Sequence, residues 1–198
     1  MLSQIASVTL RLMFFRAGPQ DLPFNPALTR VLVVIALLAN AVLASITLSP
    51  GLAVLSAIGA IFGLSVATRT LLRLRKLENR YHQTFHALLT TSIAFAALML
   101  LPMSQLMPQI LEVVKNPELM KQGPEAIKLP GAAVMMFDLL VIWNFAVTAA
   151  IYRQAAGLRL ASGILVALII SLSLLMFVGM ATSVFGALLG LAPPAPTR

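Results

Sequence analysis

Five apolar runs, separated by gaps in which the basic residues concentrate on alternate turns, constrain this chain more than any other feature. The runs are Val31–Leu48, Leu52–Thr68, Phe85–Leu101, Ala132–Ile151 and a long stretch within Leu160–Leu191. A helix needs about 20 such residues to cross a hydrocarbon core of about 30 Å. The last stretch is too short for two crossings and a turn, so it reads as one helix over roughly 160–186, tilted or with its end outside the core. With a mean hydropathy of +0.96 and 60% hydrophobic residues, a chain of 198 residues has too few charges to cover a water-soluble domain. The expected fold is all-α: a polytopic transmembrane bundle of five spans within residues 28–192, ending in a short tail, 193–198.

The cations set the direction of threading. Arg11, Arg16 and Arg30 precede the first run; Arg69, Arg73, Arg75, Lys76 and Arg80 follow the second; Arg153 and Arg159 follow the fourth. These ten fall on one side, against four on the other: Lys115, Lys121, Lys128 and Arg198. The bias places the N-terminus in the cytoplasm and the C-terminus outside. The formal charge of +8 thus has a topological origin, and a nucleic-acid partner is not expected. The expected partners are the lipid bilayer and either a second membrane protein or further copies of the chain. Cysteine is absent, which removes disulfide and thiolate chemistry.

Residues 1–27 read as a cytoplasmic interfacial helix followed by a proline-rich elbow. The opening segment lacks a basic n-region and is interrupted by Arg11, unlike a signal peptide. Ser3 can cap a helix in which Ile5, Val8, Leu12 and Phe15 share one face, with Arg11 and Arg16 reaching headgroups. Pro19, Pro23, Pro26 and Gly18 then forbid regular helix, and Asp21 and Asn25 can bond locally to the backbone. The Asp21-Leu22-Pro23 elbow, the tight first hairpin, the five spans and the Arg-Lys-Leu-Glu-Asn-Arg run at 75–80 resemble small bacterial inner-membrane proteins of the Yip (Ypt-interacting protein) class. The resemblance covers most of the chain, chiefly in topology. It implies a five-span architecture in a bacterial inner membrane and a scaffolding or trafficking-type role; no GTPase-binding signature accompanies it.

Small residues point to close helix packing. Gly59, Gly63 and Ala67 recur every four residues on the second run, and Ala36, Asn40 and Ala44 do so on the first. Such stripes let two backbones approach. Because Ser49-Pro50-Gly51 makes these runs antiparallel neighbours, the stripes are expected to face each other within one subunit, an oligomer interface being the alternative. Gly186 and Gly190 repeat the spacing near the end of the fifth run.

The fourth run contains the one acidic residue inside an apolar stretch. At about 100° per residue, Asp138, Asn144, Thr148 and Tyr152 fall within an arc of about 120°. A carboxylate in hydrocarbon is costly, so this face is expected to point into the bundle or a wet crevice. It serves either as interhelical hydrogen-bonding glue, the favoured reading, or as a proton or cation site. Glu78, His82 and His86, at i, i+4 and i+8, form a weak candidate metal site, since three ligands beside Arg80 and Lys76 more often lie at headgroup level.

The connection 104–130 is expected outside. Pro108 precedes a short apolar helix lying on the membrane, Asn116-Pro117-Glu118 resembles a helix cap, and Gly123-Pro124 ends the next turn. No GxSxG, HExxH, P-loop or GxGxxG motif occurs, so neither an enzyme nor a cofactor is expected. The sequence suggests a non-enzymatic Yip-like scaffold or membrane-organising protein. The alternative is a small permease or transporter subunit that uses Asp138.

Overall fold

The computed structural model describes residues 2–116 and 129–191. Residues 117–128 of the expected external loop, which include Gly123-Pro124 and all but the first residue of the Asn116 cap, and the tail 193–198 lie outside the described residues. The described residues form seven α-helices: α1 (Leu2–Met13), α2 (Pro26–Ala44), α3 (Pro50–Leu74), α4 (Tyr81–Lys115), α5 (Gly131–Ala155), α6 (Leu160–Met180) and a final turn, α7 (Gly186–Leu188). No strand occurs among the described residues. Five helical stretches are long and apolar enough to cross a membrane, at positions matching the five runs.

Local chemistry explains where these helices begin and end. Pro26 and Pro50 occupy the first turn of α2 and α3, where a missing N–H costs nothing, and the Asn25 side chain accepts from the Ala27 amide at 3.0 Å. Several helices stop through one left-handed residue whose successor reaches back five positions. Gly157 (φ 61°) does this after α5, with Leu158 N–H donating to Arg153 O at 2.8 Å. Phe15 (φ 59°) and Lys76 (φ 56°) do the same after α1 and α3, without the steric freedom of glycine. Phe15 therefore terminates α1 and is exposed, instead of extending the buried face as expected.

Two boundaries differ from the sequence reading. The third run does not end at Leu101 before a separate surface helix: α4 continues through Pro102 and Pro108 to Lys115. Each proline removes one i to i−4 bond, yet the helix carries on through both, Pro102 being fully buried by packing and Pro108 exposed. The fifth run is one helical stretch, as expected, but between α6 and α7 it widens into a π turn at Ala181–Phe185.

The five long helices close into a ring in the order α2–α4–α5–α6–α3, α3 packing back on α2. This order overturns the expected pairing of small-residue stripes. A β-carbon on Gly59 would lie 2.8 Å from Ala181 Cβ and 2.9 Å from Phe177 O, and one on Gly63 would strike the Phe177 side chain. The glycine stripe of α3 thus receives the π-turn end of the fifth run, while Ala67 is only half-buried. Ala36 is fully buried, Ala44 half-buried, and Asn40 turns toward α4, donating to Ser92 Oγ at 3.0 Å. The hairpin does make α2 and α3 neighbours; the ring simply gives each of them a second neighbour, and the smallest side chains serve that closer contact. Gly186 packs against Leu52, and Gly190 (φ 66°) is a helix terminator.

Helix α1 lies against α4 and α5. Ile5, Val8 and Leu12 are buried as its periodicity predicts, yet they are covered by protein. Trp143, the middle residue of α5, donates from Nε1 to Met13 O at 2.8 Å, and its ring lies 5.3 Å from that of Phe14. The carboxyl end of α1 is therefore held at mid-length of the bundle, about 18 Å from the Ala155 end of α5.

Candidate functional site

All five long helices contribute to a cavity of about 530 Å³ that is partly open, with Val141 and Asn144 of its wall exposed. Most of its wall is apolar, formed by residues such as Leu64, Phe95, Met99, Phe137 and Ile170. Across it runs a polar band: Asn40 on α2, Thr91 and Ser92 on α4, Asn144 and Thr148 on α5, and Ser171 on α6. Ser92, Asn144 and Ser171 each lie about three helical turns, ~16 Å, from the ends at Tyr81, Ala155 and Leu160. Those ends carry Arg80, Arg153 and Arg159 and are called the basic end below. The band is thus one layer at mid-length.

Some of these groups are occupied and some are free. Asn40 uses both amide hydrogens, on Ala36 O (2.8 Å) and Ser92 Oγ (3.0 Å), leaving its carbonyl oxygen to accept. Thr91 bonds back to Ala87 O on its own helix. Asn144, Thr148 and Ser171 make no hydrogen bond among the described residues, so they offer donors and acceptors to whatever occupies the lumen. Among the described residues, no charged side chain lines the cavity. Such a wall suits an uncharged molecule with one polar end and rejects an unpaired ion, which would exchange its hydration for hydrocarbon and neutral dipoles.

Toward the basic end, α3 and α5 are tied together across the ring. Thr68 on α3 and Tyr152 on α5 are not neighbours in the ring, yet their hydroxyls meet at 2.9 Å and both residues are fully buried. Alongside, Ser65 Oγ and Tyr81 OH lie 2.7 Å apart, Tyr81 stacks on Phe85, and the Arg69 guanidinium sits 5.9 Å from the Tyr81 ring centre. This aromatic and hydroxyl layer lies between the lumen and the basic flanks.

The expected polar face of the fourth run divides in three. Asn144 and Thr148 line the lumen, Tyr152 belongs to the hydroxyl layer, and Asp138 is exposed and absent from the cavity wall. An arc of about 120° is wide enough to pass from the lumen face into the seam beside the next helix, and Asp138 stands at its edge. It also lies about 9 Å farther from the basic end than Asn144. The aspartate therefore stands off the lumen, toward the end of α5 remote from the basic end, as its place six residues after Ala132 allows. What the sequence reading missed was Ser92 and Ser171. Their signal was position, since each stands near the middle of an apolar run at the same distance from its flanking arginine as its counterpart.

The candidate metal ligands are also separated. Glu78 belongs to a 3-10 turn, Glu78–Arg80, that precedes α4, and pairs with Arg73 at 3.5 Å on the exposed surface. His86 is fully buried, with Nε2 at 2.8 Å from Thr29 Oγ1, which also lies 3.4 Å from His82 Nδ1. The His86 Nδ1 makes no hydrogen bond of ordinary geometry; the Pro23 carbonyl is the acceptor nearby. Phe24 packs edge-on to His82 at 5.7 Å, and Gln83 Nε2 donates to Gln20 O and Leu22 O. The two histidines and Gln83 therefore clamp the 17–26 elbow onto α4. No group of three metal-ligating side chains occurs among the described residues.

Comparison with protein-family models, with curated proteins and with solved structures finds no match to this chain.

Proposed function

We propose that this chain is a non-enzymatic, five-span protein of a bacterial inner membrane, with its N-terminus in the cytoplasm, its C-terminus outside, and a lumen that binds a small uncharged amphiphile at mid-bilayer. The observation that carries this reading is the neutral polar band of Asn144, Thr148 and Ser171 inside an otherwise apolar cavity of about 530 Å³, a size usual for ligand pockets. The cation bias supports the orientation, with the basic end cytoplasmic. The Thr68–Tyr152 contact across the ring, on the basic side of the cavity, supports binding over passage. Binding without turnover is compatible with a Yip-like, membrane-organising role, in which an occupied ring presents a different surface to a partner or to a second copy than an empty one.

The permease reading is weaker, because Asp138 stands outside the cavity wall and no other charge among the described residues lines it. Photolabelling with a diazirine monoacylglycerol in reconstituted vesicles tests the proposal. The label should map to α4, α5 and α6 around the polar band. Ala96→Phe, which fills the lumen, and the double substitution Asn144→Leu with Ser171→Leu should each reduce labelling about tenfold. Labelling unchanged in both would refute it.

A further inference from the structure

A second cavity, of about 410 Å³, lies at the basic end and shares no residue with the lumen. Its walls come from three places: Pro19 and Gln20 in the elbow, Arg80, Gln83 and Thr84 where α4 begins, and Gln154 and Ala155 where α5 ends. Arg80, Gln83 and Thr84 are each held by a hydrogen bond, whereas the side-chain amides of Gln20 and Gln154 make none among the described residues. Arg80 donates one N–H to Ala155 O at 3.1 Å, which fixes the guanidinium against the end of α5; an arginine carries five such donors in a rigid fork. Gln83 is committed to the elbow carbonyls Gln20 O and Leu22 O, which fixes the floor. The side-chain amides of Gln20 and Gln154 converge over Gly18, where any β-carbon would collide with both.

The charge balance of this pocket is one-sided. No carboxylate stands among its wall residues. The nearest acid in the elbow, Asp21, is engaged by the Gly18 amide at 2.8 Å. A guanidinium fork and two free amides therefore line a cavity with no carboxylate in its wall, at the end of the bundle where the flanking cations gather. Acceptor-only groups with several oxygens satisfy such a set best, and a phosphate matches the fork geometry of arginine. The level of the site, at the ends of α4 and α5 just beyond their apolar stretches, is that of lipid headgroups.

We infer that this pocket binds a phosphate group, carried by an anionic phospholipid of the leaflet at the basic end, with Arg80 as the principal ligand and Gln20 and Gln154 as supporting donors. The inference is independent of what the lumen holds. A lipid bound here would staple the elbow to α4 and α5, since its headgroup touches all three.

Full-length protein, stripped of lipid in a neutral detergent, is offered equal amounts of phosphatidylglycerol and phosphatidylcholine, and bound lipid is counted by native mass spectrometry. Phosphatidylglycerol should be retained about tenfold over phosphatidylcholine. Arg80→Gln should abolish that preference, and Gln154→Leu should reduce it severalfold. Arg75→Gln, which removes an exposed cation outside the pocket, should leave it intact. Equal losses in Arg80→Gln and Arg75→Gln would show diffuse surface charge at work and overturn the site. Should Arg80→Gln fail to fold for want of its bond to α5, Gln154→Leu and Gln20→Leu decide the matter, and a preference unchanged in both overturns the site. A parallel arm adds excess inorganic phosphate: retention of the lipid supports the headgroup source, whereas displacement assigns the pocket to a soluble phosphate and overturns the lipid assignment.

Discussion

Substituting Gly59 by alanine tests the ring order directly. A β-carbon at that position would stand 2.8 Å from Ala181 Cβ, 2.9 Å from Phe177 O and 3.2 Å from Val178 Cα. Carbon atoms pack at about 3.5–4.0 Å, so the α3–α6 seam must open by roughly 0.7 Å or more, and the obstacles are backbone and a β-carbon that cannot rotate away. Overpacking of this kind costs about 1–3 kcal/mol, offset by up to about 1 kcal/mol from the better helix propensity of alanine. With the full propensity offset, the net expectation for Gly59→Ala is a loss of up to about 2 kcal/mol. Gly179 serves as the control, because a β-carbon there meets nothing within 4 Å. Gly179→Ala retains only the propensity term and should be neutral or slightly stabilising. Equilibrium unfolding in mixed micelles of neutral detergent and dodecyl sulfate, followed by helical circular dichroism, reads the difference. Since the chain contains no cysteine, the pair Gly59→Cys and Ala181→Cys adds a second readout: oxidation should give a cross-link within one chain. Equal stability of the two alanine variants, or a cross-link only between chains, would refute the placement of Gly59 against the fifth run.

Two further outcomes follow from the hydroxyl layer and from Asp138. Tyr152→Phe strands the buried Thr68 hydroxyl and should cost about 1–3 kcal/mol, while adding Thr68→Val should recover part of the loss; strictly additive effects in the double-mutant cycle would mean that the hydroxyls do not interact. Asp138→Asn should change stability by less than about 0.5 kcal/mol and leave monoacylglycerol labelling intact, because the residue is exposed and off the cavity wall. Loss of labelling in Asp138→Asn would return the aspartate to the site and favour the permease.

What was readable in the sequence, and what was not, follows from the range of the interactions involved. The five long helices were legible because apolar length and turn chemistry act locally, as at Asn25-Pro26 and Ser49-Pro50. The burial of Ile5, Val8 and Leu12 was legible from periodicity, but not that protein would cover them. Helical continuity through Pro102 and Pro108 was hidden, since whether a proline ends a helix depends on what packs around it. Partner choice was hidden for a related reason. Gly59 and Gly63 announce a close approach but carry no mark of which helix approaches, and chain proximity suggested α2 where the ring supplies α6. Among the lumen residues, Asn144 and Thr148 stood out on one helix, whereas Ser92 and Ser171 gained meaning only when three helices were brought to a common level.

The order of helices around the ring bears on how the protein is made. Helices leaving a translocon in sequence can pair α2 with α3, then α2 with α4, then α4 with α5, yet α3 keeps one flank vacant until α6 emerges between it and α5. The last crossing is thus the keystone of assembly. Nascent chains stopped before Leu160 would leave the glycine flank of Gly59 and Gly63 without the helix that covers it.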